Sequence, residues 1–161
     1  MDPETRHQKL RAYEQAFEQL VAGLKEFPRE MWEFRDEHGC WSIHEHLVHI
    51  SDSEANSYIR CRRLIAEPGQ DLMAYDENRW GRELDYHSIG TEGSLELFRV
   101  LRQQTVELLS NLPEEAWSNT CYHPENGDMT LDDWLDVYAR HVEEHLEYMS
   151  ENHRAWLAAN P

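Results

Sequence analysis

Four stretches of this chain place apolar residues at three- and four-residue steps, and none shows the alternation of a half-buried strand. Asp2-Pro3 reads as an N-cap followed by proline in the first helical position. From there Leu10, Tyr13, Phe17, Leu20, Val21 and Leu24 fall on one face, so a first helix runs to about Glu26. Ser42-Ile43-His44-Glu45 has the form of a capping box. It opens a second helix whose Ile43, Leu47, Ile50, Cys61 and Ile65 share a face, closed by Pro68-Gly69. Ser94 reads as the cap of a third, with Leu95, Leu97, Phe98, Leu101, Val106, Leu108 and Leu109 along it. Thr130, with Asp133 three residues on, caps a fourth, striped by Leu131, Leu135, Tyr138, Val142 and Met149. The expectation is one all-α domain over residues 1–161, an up-down-up-down four-helix bundle. Residues 67–93, rich in Gly, Asp and Asn with Tyr75, Trp80 and Tyr86 between, form a long crossover from helix two to helix three.

A faint internal repeat accompanies this layout, although a Pro-led acidic turn is also simply a common helix start. Pro28-Arg-Glu-Met-Trp32 follows helix one, and Pro113-Glu-Glu-Ala-Trp117 follows helix three. Each is a short helical turn leading into a capped helix. Read as two copies of one unit, the chain places helices two and four as equivalents that start at the same end of the bundle.

Charge and cysteines narrow the setting. Acidic residues number 32 against 15 basic, a formal charge of -17. Nucleic acid and anionic membrane both need cationic patches, so neither is an expected partner. A polyanionic substrate is disfavoured too, unless a bound cation offsets the field. Cys40, Cys61 and Cys121 are too widely spaced for a CxxC motif, and their odd count does not suggest a disulfide framework. A reducing cytoplasm is the simplest compartment. No signal-like leader or membrane-length apolar run is present in the sequence.

The chain carries ten histidines. His141 and His145 are four apart on the fourth helix, so both project from one face, one above the other. They lie at the rim of its apolar stripe. Two stacked imidazoles are half of a metal site, and a third nitrogen from a neighbouring helix would complete a three-histidine centre. The bland alternative is a half-buried pair bonded to Glu144 or Glu54. For the third nitrogen, helix two offers His44, His46 and His49. If helices two and four run parallel, His49 and His141 differ in depth by ~6 Å at the helical rise, which favours His49. Direction favours His46, which falls at the edge of the apolar stripe. Periodicity leaves both open. His7, His38, His87, His123 and His153 lie in termini or loops with no partner at ligand spacing.

These residues have a familiar order. Trp41-Ser-Ile-His-Glu-His-Leu-Val-His49 resembles the W-S-x-x-E-x-L-x-H opening of helix two in the DinB/YfiT-like family of four-helix bundles. Tyr75-Asp-Glu-Asn-Arg-Trp80 is similar to that family's crossover. Leu112-Pro-Glu-Glu-Ala-Trp117 and His123-Pro-Glu-Asn-Gly-Asp-Met-Thr130 resemble its second-half turn and cap, and His141-Val-Glu-Glu-His145 its last-helix H-x-x-x-H. The match runs in order over nearly the whole chain. The resemblance implies that His49, His141 and His145 bind a divalent metal, nickel or zinc, and that the chain forms a homodimer. It also implies hydrolysis, or transfer using a low-molecular-weight thiol such as bacillithiol or mycothiol, of a small-molecule substrate. The competing class is a non-catalytic metal-binding dimerisation module. Glu45, Glu54, Glu144 and Asp76 are the candidate general bases. Trp41, Tyr75 and Trp80 are candidates either to line a pocket mouth or to plug the bundle end, and Cys61 is simplest as core.

Overall fold

The computed structural model describes residues 1–36 and 39–160. His38 lies outside the described residues. Helix α1 spans Pro3–Gly23, α2 Ile43–Ala66, α3 Glu77–Glu83, α4 Thr91–Leu109 and α5 Leu131–Ala159. The four long helices are those expected from the apolar periodicity. The predicted capping box at Ser42 and the predicted cap at Thr130 both form, each as a reciprocal pair: Ser42 accepts from the Glu45 amide and Thr130 from the Asp133 amide, with each acid returning to the cap's own amide. Both proline-led repeats are short 3-10 turns, at Arg29–Met31 and Glu114–Ser118. Helix α4 begins at Thr91, three residues before the expected Ser94 cap. Ser94 instead returns its hydroxyl to the Gly90 carbonyl from within the first turn.

The expected up-down-up-down order is not the one found. Arg6 bonds Asp132, Lys9 bonds Asp136, and Gly23 abuts Leu146, so α1 and α5 run parallel. His46 meets His145 while the Ser57 carbonyl meets Trp134, so α2 runs antiparallel to α5. Tyr58 meets Gln104 and Arg62 meets Thr105, so α2 and α4 run parallel. The order is up-down-down-up. The long crossover is the physical reason: a short turn reverses a chain, whereas the stretch from Glu67 to Gly90 is long enough to carry it back to the end where α2 began. The two repeats therefore start their second helices at opposite ends. The tight helix pairs are α1 with α5 and α2 with α4, and the helices joined directly, α1 to α2 and α4 to α5, barely touch.

A small hairpin, absent from the sequence expectation, precedes α5. Strand β1 (Thr120–His123) pairs antiparallel with β2 (Gly127–Thr130), Cys121 opposite Met129. Gly127 closes the turn at φ 76°, a left-handed conformation that suits glycine. The crossover docks on this hairpin, the Leu72 amide donating to the Tyr122 carbonyl at 2.7 Å. It then runs back along α2, past α3, to Tyr86, whose hydroxyl donates to Asp52 at 2.7 Å. Helix α3 is thereby laid beside the first turns of α2.

The core is two apolar clusters. One gathers Tyr13, Leu64, Trp117, Trp134 and Leu135, and the other Leu20, Met31, Ile43, Leu47, Phe98 and Met149. Cys61 belongs to the first, where burial pushes its thiol up to about 12. Arg102 lies between the clusters, its guanidinium 4.0 Å from the centre of the Tyr13 ring and 4.6 Å from that of Phe98. It donates twice to Glu54, at 2.6 and 3.1 Å, and Tyr13 donates its hydroxyl to the same carboxylate. No helix among the described residues is long and apolar enough to cross a membrane.

Candidate metal centre

The antiparallel contact of α2 and α5 sets His49 against His141 and His145. One nitrogen of each lies within 4.8 Å of the others. His145 and His141, one turn apart, bring their Nε2 atoms to 3.0 Å. The depth comparison that favoured His49 assumed parallel helices and does not hold. His49 reaches the pair because the early turns of α2 cross the middle of α5. His46, the choice by direction, also reaches it: its Nδ1 lies 2.8 Å from His145 Nδ1. With the hydrogen between them on His145 Nδ1, His145 Nε2 is a lone-pair donor on the side facing His141. Both histidines that periodicity could not separate therefore face α5, one within the nitrogen group and one behind it.

The surroundings are dry. His49, His46 and His145 are 2, 5 and 7% exposed. Trp41 covers His49 with ring centres 4.7 Å apart, and Tyr148 stacks on His46. Burial, aided by the neighbouring imidazoles, pushes the pKa of His49 down to about 2 and that of His46 to about 3. Burial alone takes His145 to about 4, and His141 falls well below its ordinary value for the same first reason. All four rings are neutral at pH 7, the state in which an imidazole offers a lone pair to a metal. The buried Nδ1 atoms of His49 and His141 have no hydrogen-bond partner in the protein. Neutral imidazole nitrogens gathered this closely fit a divalent transition-metal cation.

The sign of the pH dependence follows. Unfolded imidazoles take up protons near pH 6.5, whereas the folded ones do so only below about 4. Stability from their neutral burial is complete above pH 6.5 and is lost as pH falls from there toward 4. Each ring contributes a slope of up to about 1.4 kcal/mol per pH unit. Urea unfolding of metal-free protein at pH 7, 6 and 5 is expected to show this loss; equal stability at the three values would contradict the neutral cluster.

None of the four candidate bases stands beside the histidines. Glu45 closes the α2 cap and pairs with Arg35. Glu54 belongs to the Arg102 ion pair. Asp76 caps α3 by accepting from the Arg79 amide, and Glu144 pairs with Arg140 on the surface. The carboxylate at the centre is Glu77, absent from that set, whose Oε2 is 3.8 Å from His49 Nε2. Burial, then the neighbouring Asp76 and Glu125, raise its pKa. The signal was its place beside Asp76 in the crossover, but only the return of the chain along α2 brings it to His49.

A cavity of about 390 Å³ opens beside the group, walled by Trp41, His46, Glu77, His145, Tyr148 and Glu151 among others. Trp41 thus lines the pocket, one of the two roles open to it in the sequence. Tyr75 and Trp80 do not; they pack on each other, ring centres 4.5 Å apart, away from this cavity.

Comparison with known proteins follows the same lines. The candidate metal-dependent hydrolase YfiT of Bacillus subtilis is 29% identical over 144 residues, covering 85% of this chain and 80% of that protein. A candidate metal-dependent hydrolase of Oceanobacillus iheyensis is 31% identical over 112 residues, 70% of this chain, and the match spans 64% of its length. The solved structure of Bacillus subtilis YfiT, described as having an unusual four-helix bundle topology, shares the fold. It superposes with a TM-score of 0.87 at 24% identity, over 96% of this chain and 89% of that one. Residues 10–149, which span α2, the crossover and the histidine pair of α5, match the DinB superfamily, and the chain belongs to that superfamily.

Proposed function

We propose that this chain is a divalent-metal-dependent hydrolase of a small molecule, with His49, His141 and His145 as the metal ligands. The observation that carries the reading is the meeting of three neutral imidazoles, two buried and one half-buried, with a carboxylate at the wall of a cavity. When bound, a divalent cation supplies Lewis acidity, lowering the pKa of a coordinated water toward ~7. His46 holds the tautomer of His145 through the hydrogen shared between their Nδ1 atoms. Glu77 Oε2 takes the proton of the attacking water, which adds to the substrate's acyl carbon, and returns it to the leaving group. The raised pKa of Glu77 suits that exchange better than an ordinary carboxylate would. Trp41 and Tyr148 exclude bulk water from the ring edges and give the substrate an apolar wall. Glu77 and Glu151 in the cavity wall select against anionic substrates.

The test is a panel of neutral esters and amides, with zinc- and nickel-loaded protein assayed beside Glu77→Gln. Hydrolysis that falls by about 10²–10⁴-fold in the variant, with metal content unchanged, is the expected result. Turnover only when a small thiol and an electrophile are supplied together would replace hydrolysis with thiol transfer. Turnover in neither arm would leave a non-catalytic metal-binding module.

A further inference from the structure

His87, which has no partner at ligand spacing in the sequence, meets two in the fold. The 3-10 turn Tyr86–Ser88 brings it beside His44, in the first turn of α2, and Glu33, in the connection after α1. One ligand atom from each of the three lies within 4.8 Å of the others. His44 Nδ1 is 2.7 Å from Glu33 Oε1, and His87 Nδ1 bonds the other oxygen of the same carboxylate. The two rings face each other with centres 5.4 Å apart.

Hydrogen accounting shows what this arrangement requires. His44 Nε2 lies 2.8 Å from the Ile89 carbonyl, which only accepts, so Nε2 carries a hydrogen. A neutral His44 then presents a bare lone pair from Nδ1 to a carboxylate oxygen. Two acceptors 2.7 Å apart need a positive charge between them, either a proton or a metal ion. The outer side of His87 differs: its Nε2 lies 3.3 Å from the Arg35 guanidinium, a donor held in turn by Glu45, and 3.4 Å from Glu45 Oε2.

We propose that Glu33, His44 and His87 form a second divalent-metal site that clips the crossover to the connection ahead of α2. Two imidazoles and a carboxylate, with the His44 ring backed by the Ile89 carbonyl, are a donor set for zinc, with water filling the exposed remainder. The site does not depend on the centre between α2 and α5, and shares no residue with it. Its place gives it a role: the two segments it joins also furnish Trp41 and Glu77 to the cavity wall, so an ion here fixes the rim of the pocket rather than its floor.

The experiment counts zinc by calorimetric titration. Wild type is expected to take two equivalents and Glu33→Gln one. The double variant His141→Ala/His145→Ala, which removes the central site, is expected to keep one equivalent and to lose it when His87→Ala is added. Glu33 and His87 sit at the surface, so their variants retain the fold, which circular dichroism verifies. Zinc stoichiometry unchanged by Glu33→Gln, or no zinc retained by the double variant, would mean that only protons bridge these groups and would overturn the proposal.

Discussion

His145→Ala is expected to strip the centre between α2 and α5 of its metal, weakening the affinity for zinc or nickel by on the order of 100-fold or more. Loss of a group that merely orients a ligand costs 10–100-fold, and the loss of a ligand should exceed it. His145 contacts each of the other three imidazoles. Its Nε2 faces His141 at 3.0 Å and its Nδ1 faces His46 at 2.8 Å. Its ring centre is 4.9 Å from that of His49. Removing it leaves two nitrogens on different helices and frees His46, so no compact set of three remains. The measurement is metal content after dialysis, with affinity from competition against a chromophoric chelator. His46→Ala separates ligand from support: its expected loss is 10–100-fold, with the stoichiometry of the centre retained. Wild-type affinity in His145→Ala would remove the metal reading of this group altogether.

Arg102→Met is expected to destabilise the fold by about 3–5 kcal/mol, the usual cost of stranding one member of a buried ion pair. Arg102 is 2% exposed and Glu54 1%. The guanidinium donates twice to Glu54 and spans the two apolar clusters. With methionine at 102 the Glu54 carboxylate keeps only the Tyr13 hydroxyl. Glu54→Gln is the gentler change, because its amide oxygen still accepts from Arg102. The double variant Glu54→Gln/Arg102→Met is expected to recover part of the Arg102→Met loss, since no buried charge is then left unpaired. Urea midpoints read all three. A loss below about 1 kcal/mol in Arg102→Met would show that the pair is solvated in solution.

What the sequence revealed, and what it concealed, follows the range of each interaction. The caps at Ser42 and Thr130 are local, and both were legible. The hairpin left a trace in Asn126-Gly127, a favoured turn pair, but four-residue strands are too short to display alternation. Arg102 also left a trace. Phe98, Arg102, Thr105 and Leu109 recur at helical spacing on the buried face of α4, and a charge at such a position implies a buried partner. Which acid supplies it depends on α2 and α4 running parallel, a tertiary fact. The same holds at the centre. The spacing of His141 and His145 was local, and the family order singled out His49. Glu77 needed the crossover's path, which no periodicity encodes.

The way the helices are threaded also bears on how the chain reaches its native state. Because α1 barely touches α2, and α4 barely touches α5, neither half of the sequence is a helical hairpin with a core of its own. Each helix finds its tight partner in the opposite half: α1 in α5, α2 in α4. Such interleaving makes the productive contacts distant in sequence, which slows folding and joins the two halves into one cooperative unit. A cut within the crossover would release two fragments, one bearing His49 and the other His141 and His145. Core and nitrogen group alike would return only when the fragments reassociated, so complementation of the halves and metal uptake would be a single event.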